Sequence, residues 1–130
     1  GEDSVSNLPF WADEVDDPVR EAVVHHSING SFSIRRGPWK LEMCPGSGGW
    51  SDPTPRSDEA KTLPPIQLYN LAEDIGETTN VQDQHPDVVK ELTELLNSYI
   101  RNGRSTPGEP QANTGPKYWD QLHWLSESDL

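Results

Sequence analysis

One stretch, residues 25–50, HHSINGSFSIRRGPWKLEMCPGSGGW, constrains this chain more than any other. Phe32 and Ile34 alternate with Ser31, Ser33 and Arg35; Trp39, Leu41 and Met43 then alternate with Lys40 and Glu42. A period of two places the apolar set on one face of a pleated sheet and the polar set on the other. Asn29-Gly30 is a strong hairpin signal, and Gly37-Pro38 marks a second turn. Residues 21–28, EAVVHHSI, are rich in β-branched side chains and read as the strand that precedes them. The segment therefore predicts a three-stranded antiparallel meander with one apolar and one polar face.

Register follows from the rule that directly opposed residues share a face. A two-residue loop at Arg36-Gly37 pairs Ile34 with Trp39 and Phe32 with Leu41. In the first hairpin a two-residue loop sets Ser27 against Phe32, which mixes the faces. A three-residue loop with Gly30 in a left-handed bulge position sets Ile28 against Phe32 instead. His25 and Ser27 then lie on the polar face beside Ser33, Arg35 and Lys40.

The material available to cover the apolar face lies downstream. Residues 66–71, IQLYNL, read as a fourth strand, followed by a turn-rich connector in which Gly76 is the expected positive-φ residue. Residues 86–102, PDVVKELTELLNSYIRN, are the clearest helix. Pro86 suits the first helical position, Asp87 the first turn, Arg101 the last turn and Gly103 the stop. Val88, Val89, Leu92, Leu95, Leu96, Tyr99 and Ile100 form one stripe, which should pack on the sheet. The predicted fold class is α+β: a four-stranded antiparallel sheet packed by one long C-terminal helix.

The remaining segments read as approach and packing. Residues 2–12 form a short helical turn ending near Pro9, with Asp3 and Ser4 as N-cap candidates. An acidic connector, 13–18, follows. Residues 44–65 are a long Pro- and Gly-rich loop, of a length that in compact domains usually carries function or stays disordered. Residues 104–116 form a Pro/Gly linker. Tyr118, Trp119, Leu122, Trp124 and Leu125 are spaced for a short amphipathic helix that docks the tail. Three regions result: 1–20, 21–103 and 104–130.

Composition limits the partners. Hydrophobic residues make up 32% of the 130, alongside 12 prolines and 10 glycines, so the core is small and is expected to lean on another surface. The formal charge of −12 excludes a general nucleic-acid footprint and disfavours an anionic membrane surface. A single cysteine makes no internal disulfide. No apolar run approaches the ~18 residues of a membrane span. GEDSVSNLPF lacks the basic and apolar regions of a signal peptide.

The polar face, His25, Ser27, Ser33, Arg35 and Lys40, is the sharpest constellation; a cationic patch in an acidic chain suits an anionic ligand group. Cys44 lacks a second cysteine or a fixed His spacing and reads as a small buried hydrophobe. His25, His26, Cys44, His85 and His123 offer zinc-type ligands, but adjacent histidines on a strand point to opposite faces. The GSGGW loop lacks the Walker lysine and opens no helix; its backbone N–H groups suit an anion nest, with Trp50 as an anchor. Asn29-Gly30-Ser31 fits a glycosylation sequon, and the hairpin turn accounts for it equally. No catalytic carboxylate pair, triad or metal set assembles.

Three runs, VVHHSINGSFSIRRGPWKLEMCPGSGGWSDP, LPPIQLYNLAEDIGETTNV and HPDVVKELTELLNSYIRNGRSTPG, together resemble the C-terminal region of bacterial formylglycine-dependent arylsulfatases. The most specific features are Arg35-x-Gly-x-Trp-Lys40, Leu68-Tyr69-Asn70-Leu71 and Gly76-Glu77-x-x-Asn80. EDSVSNLP looks like the segment that closes the larger catalytic domain, so 1–20 would end that domain and 21–103 would be the C-terminal subdomain. The resemblance implies part of a sulfuric ester hydrolase, inactive alone, that supports the catalytic domain and walls one side of the substrate cleft. Formylglycine and calcium would belong to that missing domain, the expected partner. Cys44-Pro-Gly-Ser-Gly departs from Cys/Ser-x-Pro/Ala-x-Arg, so Cys44 is not the nucleophile. Substrate-binding residues implied near the leaving group are His25, His26, Lys40 and Trp50. Periplasmic or extracellular location follows from the family's habit. The alternative is a free-standing binding or adaptor module of the same fold.

Overall fold

A computed structural model describes residues 4–14, 16, 18–116 and 118–126. The elements in order are α1 (Leu8–Trp11), β1 (Val23–His26), β2 (Phe32–Arg36), β3 (Trp39–Glu42), β4 (Gln67–Asn70) and α2 (Pro86–Asn102). Single 3-10 turns occur at Ala60–Thr62 and Asp120–Leu122. The strands form one antiparallel sheet in the order β1-β2-β3-β4. The α+β architecture read from the alternation and the helix stripe is the one observed.

Both hairpins hold the expected faces but are shifted in register. His26, not Ile28, opposes Phe32, and Val24 opposes Ile34. The first loop does have three residues, but they are 28–30: Ser27 N–H still donates to the Ser31 carbonyl at 2.9 Å. Asn29 fixes that position, because its Oδ1 accepts from the Ser31 amide at 3.0 Å and the Ser31 hydroxyl at 2.8 Å. Gly30 takes the expected positive φ, 85°. In the second hairpin Ile34 opposes Leu41 and Arg36 opposes Trp39, which leaves Gly37-Pro38 as the loop. The register read from sequence would have put Pro38 in a strand, where it has no N–H to give the ladder. Gly37, at φ 57°, takes the first loop position instead. Each shift moves the pairing by two residues, so no side chain changes face.

Helix α2 runs over the predicted residues. Gly103 is left-handed at φ 63° and donates to the Ile100 carbonyl, closing the helix. Leu92 and Leu96 are buried against Ile34, Leu41, Met43 and Leu68 on the apolar face, while Val88, Val89, Leu95, Tyr99 and Ile100 are half-buried around them. Burying such side chains at roughly 1.5–3 kcal/mol each makes this layer the principal stabilising contact.

The tail packs on the same core, though not as an α-helix. One 3-10 turn suffices to bury Leu122 and Leu125. His123 Nε2 lies 2.9 Å from the Met43 carbonyl, and Trp124 Nε1 donates to Asn97 Oδ1 at 2.9 Å. At the other end, α1 starts where the sequence reading ended it. Asn7 is its N-cap residue, Ser6 Oγ accepts from the Leu8 amide, and Pro9 sits in the first turn, where its missing N–H costs nothing. Ser4 does not cap it, and Asp3 lies outside the described residues.

Candidate functional site

The polar face of the sheet consists of two cross-strand rows. His25, Ser33, Glu42 and Gln67 form one; Val23, Arg35, Lys40 and Tyr69 form the other. The connector after β4 folds over one end of this face. Asp74 shapes that connector by accepting from the amides of Thr78 (2.7 Å) and Thr79 (2.8 Å). Those bonds, that of Thr79 foremost, hold its carboxyl below the usual range. The positive-φ residue is Glu77, at 54°, rather than Gly76. This corrects the sequence expectation, and the reason is non-local. Lys40 Nζ reaches Glu77 Oε1 at 2.7 Å and Oε2 at 2.8 Å, holding Glu77 over the sheet.

Lys40 also contacts Glu42 Oε1 at 2.9 Å. Burial alone would lower its pKa, but the hydrogen bonds to Glu42 and Glu77 outweigh burial and raise it. Lys40 is therefore a charged group neutralised by two carboxylates, not a cation presented to solvent. Arg35 is exposed and spends its Nε on the Gly37 carbonyl at 3.2 Å. Tyr69 donates to Gln67 Oε1 at 2.8 Å, and burial, aided by Glu42 and Glu77, pushes its phenol up to about 12. Burial likewise raises the Cys44 thiol, so neither group is an activated nucleophile.

A shallow depression of about 400 Å3 opens on this face. His25, His26, Lys40, Arg35, Glu42 and Glu77 contribute to its wall. Three of the four residues implied by the resemblance thus come together, with a division between the histidines. His25 opposes Ser33 on the polar side; His26 opposes Phe32, its ring centroid 4.2 Å from the phenyl ring, and reaches the depression only because β1 is an edge strand. Trp50 is 86% exposed and does not line the depression. Its loop nevertheless borders it. A Cβ on Gly48 would lie 3.2 Å from Ser27 Oγ, and Gln67 Nε2 staples the loop by donating to the Cys44 and Gly46 carbonyls at 2.8 Å each.

Sequence reasoning missed Glu42 and Glu77. Glu42 carried a signal, since it stands two residues from Lys40 and must share its face. Glu77 carried none, because its contact spans 37 residues. Among the described residues no three His, Cys, Asp or Glu side chains gather as a metal site. His85 instead packs on Trp39 with centroids 4.8 Å apart, and His123 faces the Met43 carbonyl. This arrangement can hold a polar or anionic ligand group by hydrogen bonds.

No protein-family model matches the chain. Over 82 residues, 61% of its length, it is 37% identical to an N-acetylgalactosamine-6-O-sulfatase of Bacteroides thetaiotaomicron. A solved sulfatase chain, described with that organism's metabolism of multiple glycosaminoglycans, superposes on 74% of the chain with a TM-score of 0.54 and 33% identity. Over these stretches the chain is similar to sulfatases. Its four-stranded antiparallel sheet and long helix match this structural neighbour. It spans only 15% of the length of the curated sulfatase and 19% of the solved chain. The similarity therefore concerns one part of much longer proteins.

Proposed function

We propose that this chain is the C-terminal subdomain of a sulfuric ester hydrolase of arylsulfatase type. It supports the catalytic domain, forms one wall of the substrate cleft and is inactive alone. The observation that carries this reading is the 37% identity confined to 15% of a full sulfatase. No Cys/Ser-x-Pro/Ala-x-Arg run occurs in the 130 residues, and the described carboxylates build no calcium cage. The residues here do not fit either group, and we assign formylglycine and calcium to the catalytic domain. Large apolar side chains also stand in solvent, with Trp11 at 78%, Ile75 at 83% and Trp50 at 86% exposure, and contact with a neighbouring domain would take them out of water.

In this reading His25 offers imidazole hydrogen bonds to the leaving-group side of a sulfate ester, and His26 closes the edge of the same pocket. Lys40 acts through the carboxylates it holds, and Trp50 presents a flat apolar face beside the opening. The enzyme works in the periplasm or outside the cell. In the full-length enzyme, His25→Ala and His26→Ala should each lower kcat/KM by about tenfold or more, the loss of a good hydrogen bond to the transition state. Thermal stability should stay near that of the parent. Unchanged kinetics for both variants would remove the cleft-wall assignment.

The tail favours a second reading, a free-standing adaptor module, because it closes the core with residues of this same chain. Dye binding separates the two. A subdomain parted from its catalytic domain binds an apolar dye or self-associates, whereas a true module is monodisperse.

A further inference from the structure

The opposite side of the sheet carries a separate feature. A cleft of about 900 Å3 lies between edge strand β1, the C-terminal half of α2 and the returning segment 104–116. That volume lies within the range of small-molecule sites. Its outer wall is seated on the helix end: the Gln111 amide donates to the Asn102 carbonyl at 2.8 Å, and Asn113 Nδ2 donates to the Ile100 carbonyl at 2.9 Å. A side chain at Gly103 would collide with the Gln111 carbonyl, so this close approach needs glycine. Val24, Phe32, Leu96 and Ile100 provide an apolar floor, and Trp119, 43% exposed, stands at the side.

The charge of this cleft is opposite to that of the chain. Arg20, Arg101 and Arg104 line it, and no Asp or Glu does so among the described residues, although acidic residues outnumber basic ones by 22 to 10. Arg20 Nη2 donates to Ser105 Oγ at 3.2 Å, but its buried Nε–H has no partner among the described residues. An unpaired buried guanidinium donor is costly, and arginine forks at a cleft wall receive oxyanions best. Exposed indole, side-chain amides and an arginine fork together suit a ring whose faces stack and whose hydroxyls and oxyanion accept hydrogen bonds.

We propose that this cleft binds an anionic sugar, a ring bearing a sulfate or a carboxylate, with Arg20 and Arg101 on the oxyanion and Trp119 on the ring. The cleft meets the polar-face depression only at the edge residue His26, and Arg20, Arg101 and Trp119 line the cleft alone, so failure of this proposal leaves the cleft-wall reading standing, and the reverse holds too. The test is an NMR titration of the 15N-labelled chain with four probes: N-acetylgalactosamine 6-sulfate, glucuronate, N-acetylgalactosamine and sodium sulfate. At least one anionic sugar should move the Trp119 indole N–H and the Ile100 and Arg101 amides in a saturable way, and which one does so identifies the oxyanion. The neutral sugar should bind about tenfold more weakly, and Arg20→Gln should cost about tenfold in Kd. Arg101→Gln, on the exposed helix end, gives the same readout if Arg20→Gln disturbs the fold. Arg56→Gln, on the exposed 44–65 loop and outside both cavities, should change nothing. Equal affinity for the neutral sugar, inorganic sulfate binding as tightly as the sugars, sensitivity to Arg56 rather than Arg20 and Arg101, or no saturable shift at Trp119 would each overturn the proposal.

Discussion

Glu77 concentrates two opposing effects in one residue. Its φ of 54° is a conformation that side chains with a Cβ adopt at a cost, while its carboxylate is gripped by Lys40. Substitutions separate the two. Glu77→Ala loses the ion pair and keeps the strain; Glu77→Gly loses the pair but relieves the strain. Urea unfolding should therefore show Glu77→Ala to be less stable than Glu77→Gly, by about 1 kcal/mol. Equal midpoints would mean that the backbone there is not strained. At this scale the sequence was only partly legible. His25, Arg35 and Lys40 sit on the predicted face because face follows from alternation alone. Lys40's engagement with Glu77 was hidden, because nothing local to position 77 announces a partner 37 residues away.

Among the elements, α2 was the most legible, since its cap residues and stripe agree with its observed bounds. Leu96 is almost fully buried at the centre of the contact with β2 and β3, so Leu96→Ala should destabilise by about 2–5 kcal/mol in chemical denaturation. A loss no larger than that of an exposed helix position would contradict the packing described. The hairpins were legible in face but not in register. Alternation fixes parity, and two registers that differ by two residues satisfy it equally. Asn29 decided the first hairpin through its side-chain acceptor, and Pro38 decided the second through its missing donor. The tail shows the converse case. Its aromatic and leucine spacing signalled docking correctly, but a helix was unnecessary, because a single 3-10 turn already brings Leu122 and Leu125 inward.

For the whole molecule, composition carried more than any motif. A hydrophobic fraction of 32% in 130 residues leaves too little to close every surface, and the structure duly exposes Trp11, Trp50 and Ile75. The ordered sheet, helix and docked tail form a coherent core, and the polar face holds donors and paired charges. In the proposed reading this is a piece of an enzyme in which another domain supplies the chemistry. The 15% and 19% shares of the two sulfatases agree with that division. The most direct measurement is the intact mass and peptide map of the polypeptide that carries the 86–102 helix in its native cell. The account predicts a chain several times longer than 130 residues, with a Cys/Ser-x-Pro/Ala-x-Arg segment converted to formylglycine. A mature, functional polypeptide of about this length, with no such segment, would contradict it.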